Sequence, residues 1–297
     1  MQRWIDDGGL GAKVATVANL RAIHRKFYES LPESLKWVTN PDTGERVPVI
    51  PGQIRKKVVA VGQLIPVSPG AVERHLTRWE QAYASLGQFE TVINTAAAHH
   101  RLVWIHPYLD GNGRVARLIS YAMLRNALDT CGLWSVARGL ARNVAAYKAH
   151  LAASDLQHRN DLDDRGNLSE EALVEFTGFF LDICIDQINF MESLMRPQDL
   201  RARIMAWADD EIRLNRLHEK GKLLLAHVLF DGHIDRKDMP RIVDANERQA
   251  RRIAEPLVKI GLFRSATPKA PYVLGFPAEL AARLMPGLYP GTAGQAS

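Results

Sequence analysis

The 297-residue chain contains only two cysteines, Cys131 and Cys184, and they form no metal-ligand spacing. Both lie in apolar helical surroundings, which predicts buried free thiols and no disulfide. No run of about 18 apolar residues exists, so a membrane-spanning helix is not expected. The N-terminus carries Asp6 and Asp7 without an apolar stretch, unlike a secretory signal. Together these absences predict a cytoplasmic protein with no membrane partner. A P-loop is missing as well, because no Gly-Lys-Ser/Thr follows a glycine cluster. The hydrophobic content of 46% is enough to bury a substantial core in one large or two modest domains. A formal charge of +5 permits an acidic partner without naming one.

Chemistry is concentrated in His106-Pro-Tyr-Leu-Asp-Gly-Asn-Gly-Arg-Val-Ala-Arg117. Val115, Leu118, Ile119, Ala122 and Met123 recur at helical spacing and form one apolar stripe, so the Asp-Gly-Asn-Gly loop lies at a helix N-terminus. Backbone N–H groups there lack intrahelical partners and the helix dipole is positive, which suits phosphate oxygens. Gly111 and Gly113 let the backbone curl towards an anion. Arg114 and Arg117, one turn apart, are expected to face a polyphosphate with their planar forks. Asp110 suits Mg2+, which binds through one or two carboxylates, waters and substrate phosphates. His106 titrates near neutrality and is the candidate general base. A calcium loop is a poor alternative: counting from Asp110, the twelfth position is Tyr121, where a bidentate Glu is required. His99 and His100 lie close to His106 in sequence, yet no carboxylate or cysteine completes a zinc set.

These residues resemble the signature of the Fic (filamentation induced by cAMP) family, His-x-Phe-x-Asp/Glu-Gly-Asn-Gly/Lys-Arg-x-x-Arg. Only Tyr108 departs from it. A random chain would match with a probability on the order of 10^-7. The resemblance implies transfer of AMP from ATP, with Mg2+ as cofactor, to a hydroxyl side chain of a target protein. His106 would deprotonate that hydroxyl and Asp110 would hold the metal. Gly111, Asn112 and Gly113 would form the anion hole, and Arg114 and Arg117 would bind the triphosphate tail. A family branch that transfers a phosphoryl group carries Lys where Gly113 stands, which favours AMP here. The segment Arg142 to Leu151 resembles the family stretch whose tyrosine helps hold adenine, and Tyr147 is the matching residue. Eight residues on, Asp155 replaces the asparagine frequent in the family.

Fic proteins are commonly restrained by a Ser/Thr-x-x-x-Glu-Gly/Asn helix, but no Glu of this chain precedes Gly or Asn. The chain also starts almost directly at the first Fic-like helix. The expectation is an enzyme not restrained in cis, with a separate antitoxin-like protein as a source of inhibition. Removal of AMP, the reverse reaction, would use the same loop together with the missing glutamate. A homodimer stays open.

Residues 12–31 pattern as a helix through Val14, Val17, Leu20, Ile23, His24 and Phe27, with these positions expected in the core. A loop is expected over 38–57, with a turn from Asn40 to Gly44. Lys57 to Gly62 and Gln63 to Val67 are short and β-branched, which predicts a hairpin, the only clear β element of the first half. It resembles the family's flap, which holds the target by adding it as a strand, and Val61 and Gly62 at its turn are the candidate contacts. Helical patterns follow over 71–85, 89–104 and 172–195, with a break at Pro197.

Residues 221–277 have another rhythm: a helix over 222–230, a short helix near 236–243, a turn at Asp244 to Asn246, a helix from Glu247, then a hairpin around a proline-containing turn. That order resembles a winged helix. Residues 235–269 carry nine basic residues against five acids, and Arg248, Gln249, Arg251 and Arg252 could reach DNA. Pro256 is expected to kink or shorten that helix. A protein-docking or regulatory module is the other use of such a domain.

The expected architecture is mainly α: a Fic-type helical bundle with a short β-hairpin flap, followed by a small α+β winged helix. The divisions are a Fic domain with its N-terminal helix over 1–198, a linker helix over 199–219, a winged-helix-like domain over 220–285 and a disordered tail over 286–297. The expected activity is protein adenylyltransferase. Its competitor from another class is an ATP-sensing DNA-binding transcriptional regulator.

Overall fold

The computed structural model describes residues 1–40, 43–62, 64–128, 134–158, 163 and 167–288. Cys131, Gln63 in the expected hairpin and residues 289–297 of the expected tail lie outside them. The chain divides into two compact units, Met1–Asn189 and Phe190–Ser297.

The first unit opens with α1 (Gln2–Asp6) and α2 (Val17–Glu29). The helix expected over 12–31 is therefore shorter at its start. The Asn19 amide donates to the carbonyls of Leu10, Lys13 and Val14, which fold the preceding segment as a turn, and the Thr16 hydroxyl caps the N–H of Asn19. Where a loop was expected over 38–57, β1 (Trp37–Thr39) pairs antiparallel with β2 (Arg46–Pro48), Val38 opposite Val47. The expected turn is present between them, with Gly44 in the left-handed region at φ 69° and its N–H on the Asn40 carbonyl. Strands this short and exposed leave no periodic burial in the sequence.

Of the hairpin expected over 57–67, the described residues show a single bridge. Val61 and Leu64 exchange hydrogen bonds of 2.9 and 3.0 Å around Gly62.

The centre of this unit is α3 (Val72–Tyr83), α4 (Gln88–Ile105) and α5 (Asn112–Leu128). Ala98, Leu102 and Ile105 of α4 bury against Val115, Ala116, Ile119 and Met123 of α5, with Leu20 and Ile23 of α2 and Leu76 and Trp79 of α3 around them. Small residues on α4 permit this close approach, and the Trp79 indole donates to the Ala98 carbonyl at 2.9 Å. A second cluster joins Ala96 and Leu124 to α6 (Val136–Arg142), α7 (Val144–Ser154) and α8 (Glu170–Met195) through Leu140, Tyr147, Phe176, Phe180 and Cys184. Cys184 is a buried free thiol whose pKa burial pushes up to about 12.

Pro197 ends α8 and occupies the first turn of α9 (Pro197–Arg213), where its missing N–H costs nothing. The second unit continues with α10 (Gly221–Asp231), β3 (His233–Ile234), α11 (Met239–Ile242), α12 (Glu247–Lys259), β4 (Phe263–Arg264), β5 (Tyr272–Leu274) and α13 (Ala278–Leu284). Its antiparallel sheet has the order β3-β5-β4, with Ile234 opposite Tyr272 and Phe263 opposite Leu274. Leu224, Leu225, Ile253 and Leu257 fill the space between helices and sheet. Two-residue β3 and the final α13 had no legible pattern. Pro256 does not stop α12, which runs on to Lys259. It removes the donor to the carbonyl of exposed Arg252, which water can satisfy instead. Among the described residues no helix is long and apolar enough to cross a membrane.

Candidate active site

Helix α4 ends at Ile105, and His106 caps it in the left-handed region at φ 52°, ψ 61°. A side chain with a Cβ costs roughly 1–2 kcal/mol there, so surrounding contacts must hold it. The His106 N–H donates to Leu102 O at 3.1 Å, and its carbonyl accepts from Arg55 Nε at 2.6 Å. The ring Nδ1 lies 3.2 Å from Val103 O. A carbonyl only accepts, so Nδ1 carries the proton and Nε2 keeps a free lone pair. The His106 pKa is lowered: burial dominates, the Arg55 charge adds to it, and the Val103 bond and Asp110 charge oppose it. The ring is therefore a neutral proton acceptor at pH 7.

Asp110 is held from α2. The Tyr28 hydroxyl donates to Asp110 Oδ2 at 2.5 Å, and an Arg114 nitrogen donates to the same oxygen at 2.6 Å. Burial works to raise the Asp110 pKa, but the hydrogen bonds from Tyr28 and the Gly111 N–H, with the Arg114 charge, outweigh it and hold the carboxyl below its usual range. His24 grips the same loop by its backbone. The Gly52 N–H donates to His24 Nδ1 at 2.8 Å, so Nε2 bears the proton and donates to Asp110 O at 3.2 Å. Burial lowers the His24 pKa to about 4. Its ring stacks between Tyr28 and Tyr108, at 4.4 and 3.9 Å between centroids. Tyr108 thus keeps the packing an unsubstituted ring would supply there, while its buried hydroxyl has no hydrogen-bond partner among the described residues.

The glycines differ. Gly111 has φ 84°, and a Cβ on it would stand 2.8 Å from the Tyr28 ring. Gly113 lies inside the first turn of α5, with only the Arg117 tip within 3.3 Å of a built Cβ. Asn112, 2% exposed, accepts the Tyr108 N–H at 2.8 Å and donates to the Tyr108 carbonyl at 2.8 Å. Its side chain closes the loop, leaving the N–H groups of the α5 first turn as the groups available to an anion.

Arg114 is engaged by α2 and by Asp110. Its guanidinium lies 5.1 Å from the Phe27 ring and 5.6 Å from the Tyr28 ring. Burial pushes the Tyr147 pKa up to about 12, with the nearby Arg117 charge working against it. A directed chain fixes that tyrosine. The Ser120 hydroxyl must donate to the Ala116 carbonyl, at 2.8 Å, so its oxygen accepts from His99 Nδ1 at 2.9 Å. His99 Nε2 is then left to accept from Tyr147 Oη at 2.7 Å. Tyr147 is 9% exposed. His100 pairs with Asp155 at 2.9 Å.

His106, Asp110, Gly111 and the first turn of α5 thus share one short turn, whereas Tyr147 sits in the neighbouring core. Val61 and Gly62 are exposed in the flap. Sequence reasoning missed Arg55, Tyr28, and the polar work of His24 and His99. For His24 and Tyr28 a signal existed: hydrogen-bonding aromatics four residues apart beside the apolar stripe of α2. Nothing local marks Arg55. Asp110 fits Mg2+, being one ionised hard oxygen beside an anion-type turn. No group of three His, Cys, Asp or Glu among the described residues could cage an ion, so phosphate and water would complete its shell.

A helical bundle built around a helix-N-terminal loop and a neutral histidine is the class that fold and site define. Residues 15–124 match the model of the Fic/DOC family. Over 82 residues, 27% of the chain, it is 38% identical to the protein adenylyltransferase Fic of Drosophila erecta. Over 120 residues, 40% of the chain, it is 32% identical to the protein of the same name from Drosophila mojavensis. The matched stretches span 17% and 24% of those relatives' own lengths. A Fic family protein of known crystal structure, from Desulfovibrio desulfuricans G20, superposes with a TM-score of 0.46 at 16% identity, covering 92% of this chain and 71% of that one.

Proposed function

We propose that the protein is an adenylyltransferase that moves AMP from ATP to a hydroxyl side chain of a target protein. The observation that carries this reading is the free Nε2 of a neutral His106 set one short turn before the unpaired N–H groups of α5. In the reaction the target hydroxyl gives its proton to His106 Nε2 as its oxygen bonds the α-phosphorus. The bond from that phosphorus to the β-phosphate oxygen breaks, and pyrophosphate leaves with the electron pair. Asn112 and Gly113 at the start of α5 offer backbone donors to the phosphate oxygens, with Gly111 shaping the turn before them, and Arg114 and Arg117 neutralise the tail. Mg2+, held by Asp110, would supply further charge neutralisation. Arg114 now occupies Asp110, so binding the triphosphate exchanges that pair for a phosphate contact. Val61 and Gly62 present the flap to the target.

The test is transfer of label from α-labelled and, separately, γ-labelled ATP to the protein itself and to a cell lysate. Label from the α position alone, absent in His106→Ala, is the expected result. No label from either, with ATP bound, would count against the reading.

One observation favours a second role, for the other unit. A cleft of about 970 Å³ runs between α12 and the β4–β5 turn, lined by Arg248, Arg251, Arg252 and Lys269. Helix, strand, two helices and a two-stranded wing in this order support a winged-helix reading in which α12 meets duplex DNA. Binding of a roughly 25-bp duplex should then weaken steeply with salt, and Arg248→Ala should reduce the slope by about one. Binding absent at low salt would remove this role.

A further inference from the structure

Between the flap and the candidate base lies one buried cation. Arg55 is 3% exposed and has no carboxylate partner among the described residues. A buried charge costs several kcal/mol unless its donors are satisfied. Here carbonyl oxygens satisfy them. Arg55 Nε donates to His106 O at 2.6 Å, one terminal nitrogen to Ile105 O at 3.3 Å and Val67 O at 2.5 Å, and the other to Lys57 O at 3.1 Å. The Arg55 backbone N–H adds a bond of 2.9 Å to Pro107 O.

The acceptors fall into two sets. Lys57 and Val67 bracket the flap, and Ile105 and His106 end α4. Among the described residues, flap pairing is confined to Val61 and Leu64, and the guanidinium joins the two legs at their base. Val58 and Ile65 on the legs are 73% and 75% exposed. These exposed legs are where an added peptide would pair. The His106 carbonyl that Arg55 holds belongs to the left-handed residue whose ring must face that peptide.

We propose that Arg55 is a positioning residue: it fixes the flap, and with it a strand laid along the flap, against the backbone of His106. The inference rests on reading the flap as the target-binding edge and His106 as the base. A planar fork is required, because four carbonyls in two directions must be met at once.

The full chain is tested as Arg55→Lys and Arg55→Met. Amide hydrogen exchange follows residues 57–68 and 105–108, equilibrium titration follows Mg2+-ATP, and transfer of α-label to a fixed amount of lysate gives Vmax and the apparent KM for ATP. With the fold retained in thermal melts, exchange in both segments should quicken by about tenfold or more, while ATP affinity stays within about twofold. Vmax should fall by about a hundredfold at unchanged apparent KM, since misplacement affects the attack and not ATP binding. Wild-type exchange or wild-type Vmax in Arg55→Lys would overturn the proposal, as would global unfolding of both variants. A wild type that transfers no label fails the enzyme reading, and the exchange comparison then decides the staple alone.

Discussion

Two residues in the left-handed region, His106 and Gly111, bracket the turn between α4 and α5, and each is there for a different reason. Gly111 is required by space as well as by φ. Gly111→Ala should destabilise the protein by about 2 kcal/mol, combining left-handed strain with the Tyr28 contact. Gly113→Ala meets only a flexible arginine tip, and its urea midpoint should match wild type to within about 0.5 kcal/mol. Equal effects of the two would contradict the geometry. Tyr28→Phe removes a donor from ionised Asp110, so the Asp110 pKa should rise towards the ordinary carboxylate value, measurable by carboxyl NMR titration. Tyr147→Phe leaves His99 Nε2 without a donor. It should cost about 1–3 kcal/mol of stability in a urea titration.

At the scale of elements, helices were legible and small strands were not. The apolar stripes of α3, α4, α5 and α8 repeat often enough to exceed local noise, whereas β1, β2 and β3 span two or three residues each. The flap shows the same limit: its β-branched composition is right for a hairpin, yet Arg55 takes the carbonyls at its base. At α12, Asn246 and Gln249 form a reciprocal capping box. Asn246→Ala should cost about 1 kcal/mol in the thermal melt of the chain, localised by faster exchange in the first turn of α12.

At the scale of the molecule, buried histidines set the acid response. His24 is lowered to about 4 and His99 to about 3, both chiefly by burial, and His100 and His106 are lowered too. Each is neutral when folded, whereas the unfolded chain takes up protons near 6.5. The unfolded state therefore binds more protons below that pH, and stability must fall as pH drops from 6.5 towards 4. The His24 shift alone corresponds to about 3 kcal/mol across that window. Asp110, with its depressed pKa, contributes stability above its unfolded value that is lost at still lower pH. Urea midpoints that stay level from pH 7 to 4.5 would contradict this account.

By itself the sequence determined the helical pattern of the first unit and the chemical content of residues 106–117, because periodic burial and a contiguous loop are local properties. It could not determine which distant groups complete that loop. Tyr28 and His24 reach Asp110 across 82 and 86 residues, and Arg55 reaches His106 across 51. Tyr147 was legible as a helical aromatic, but its tie to His99 was not. Tertiary packing decided these pairings and the tautomers of His24, His99 and His106. A sequence lists donors and acceptors, and only the packed chain brings a particular pair within hydrogen-bonding distance and removes the water that would otherwise compete for it.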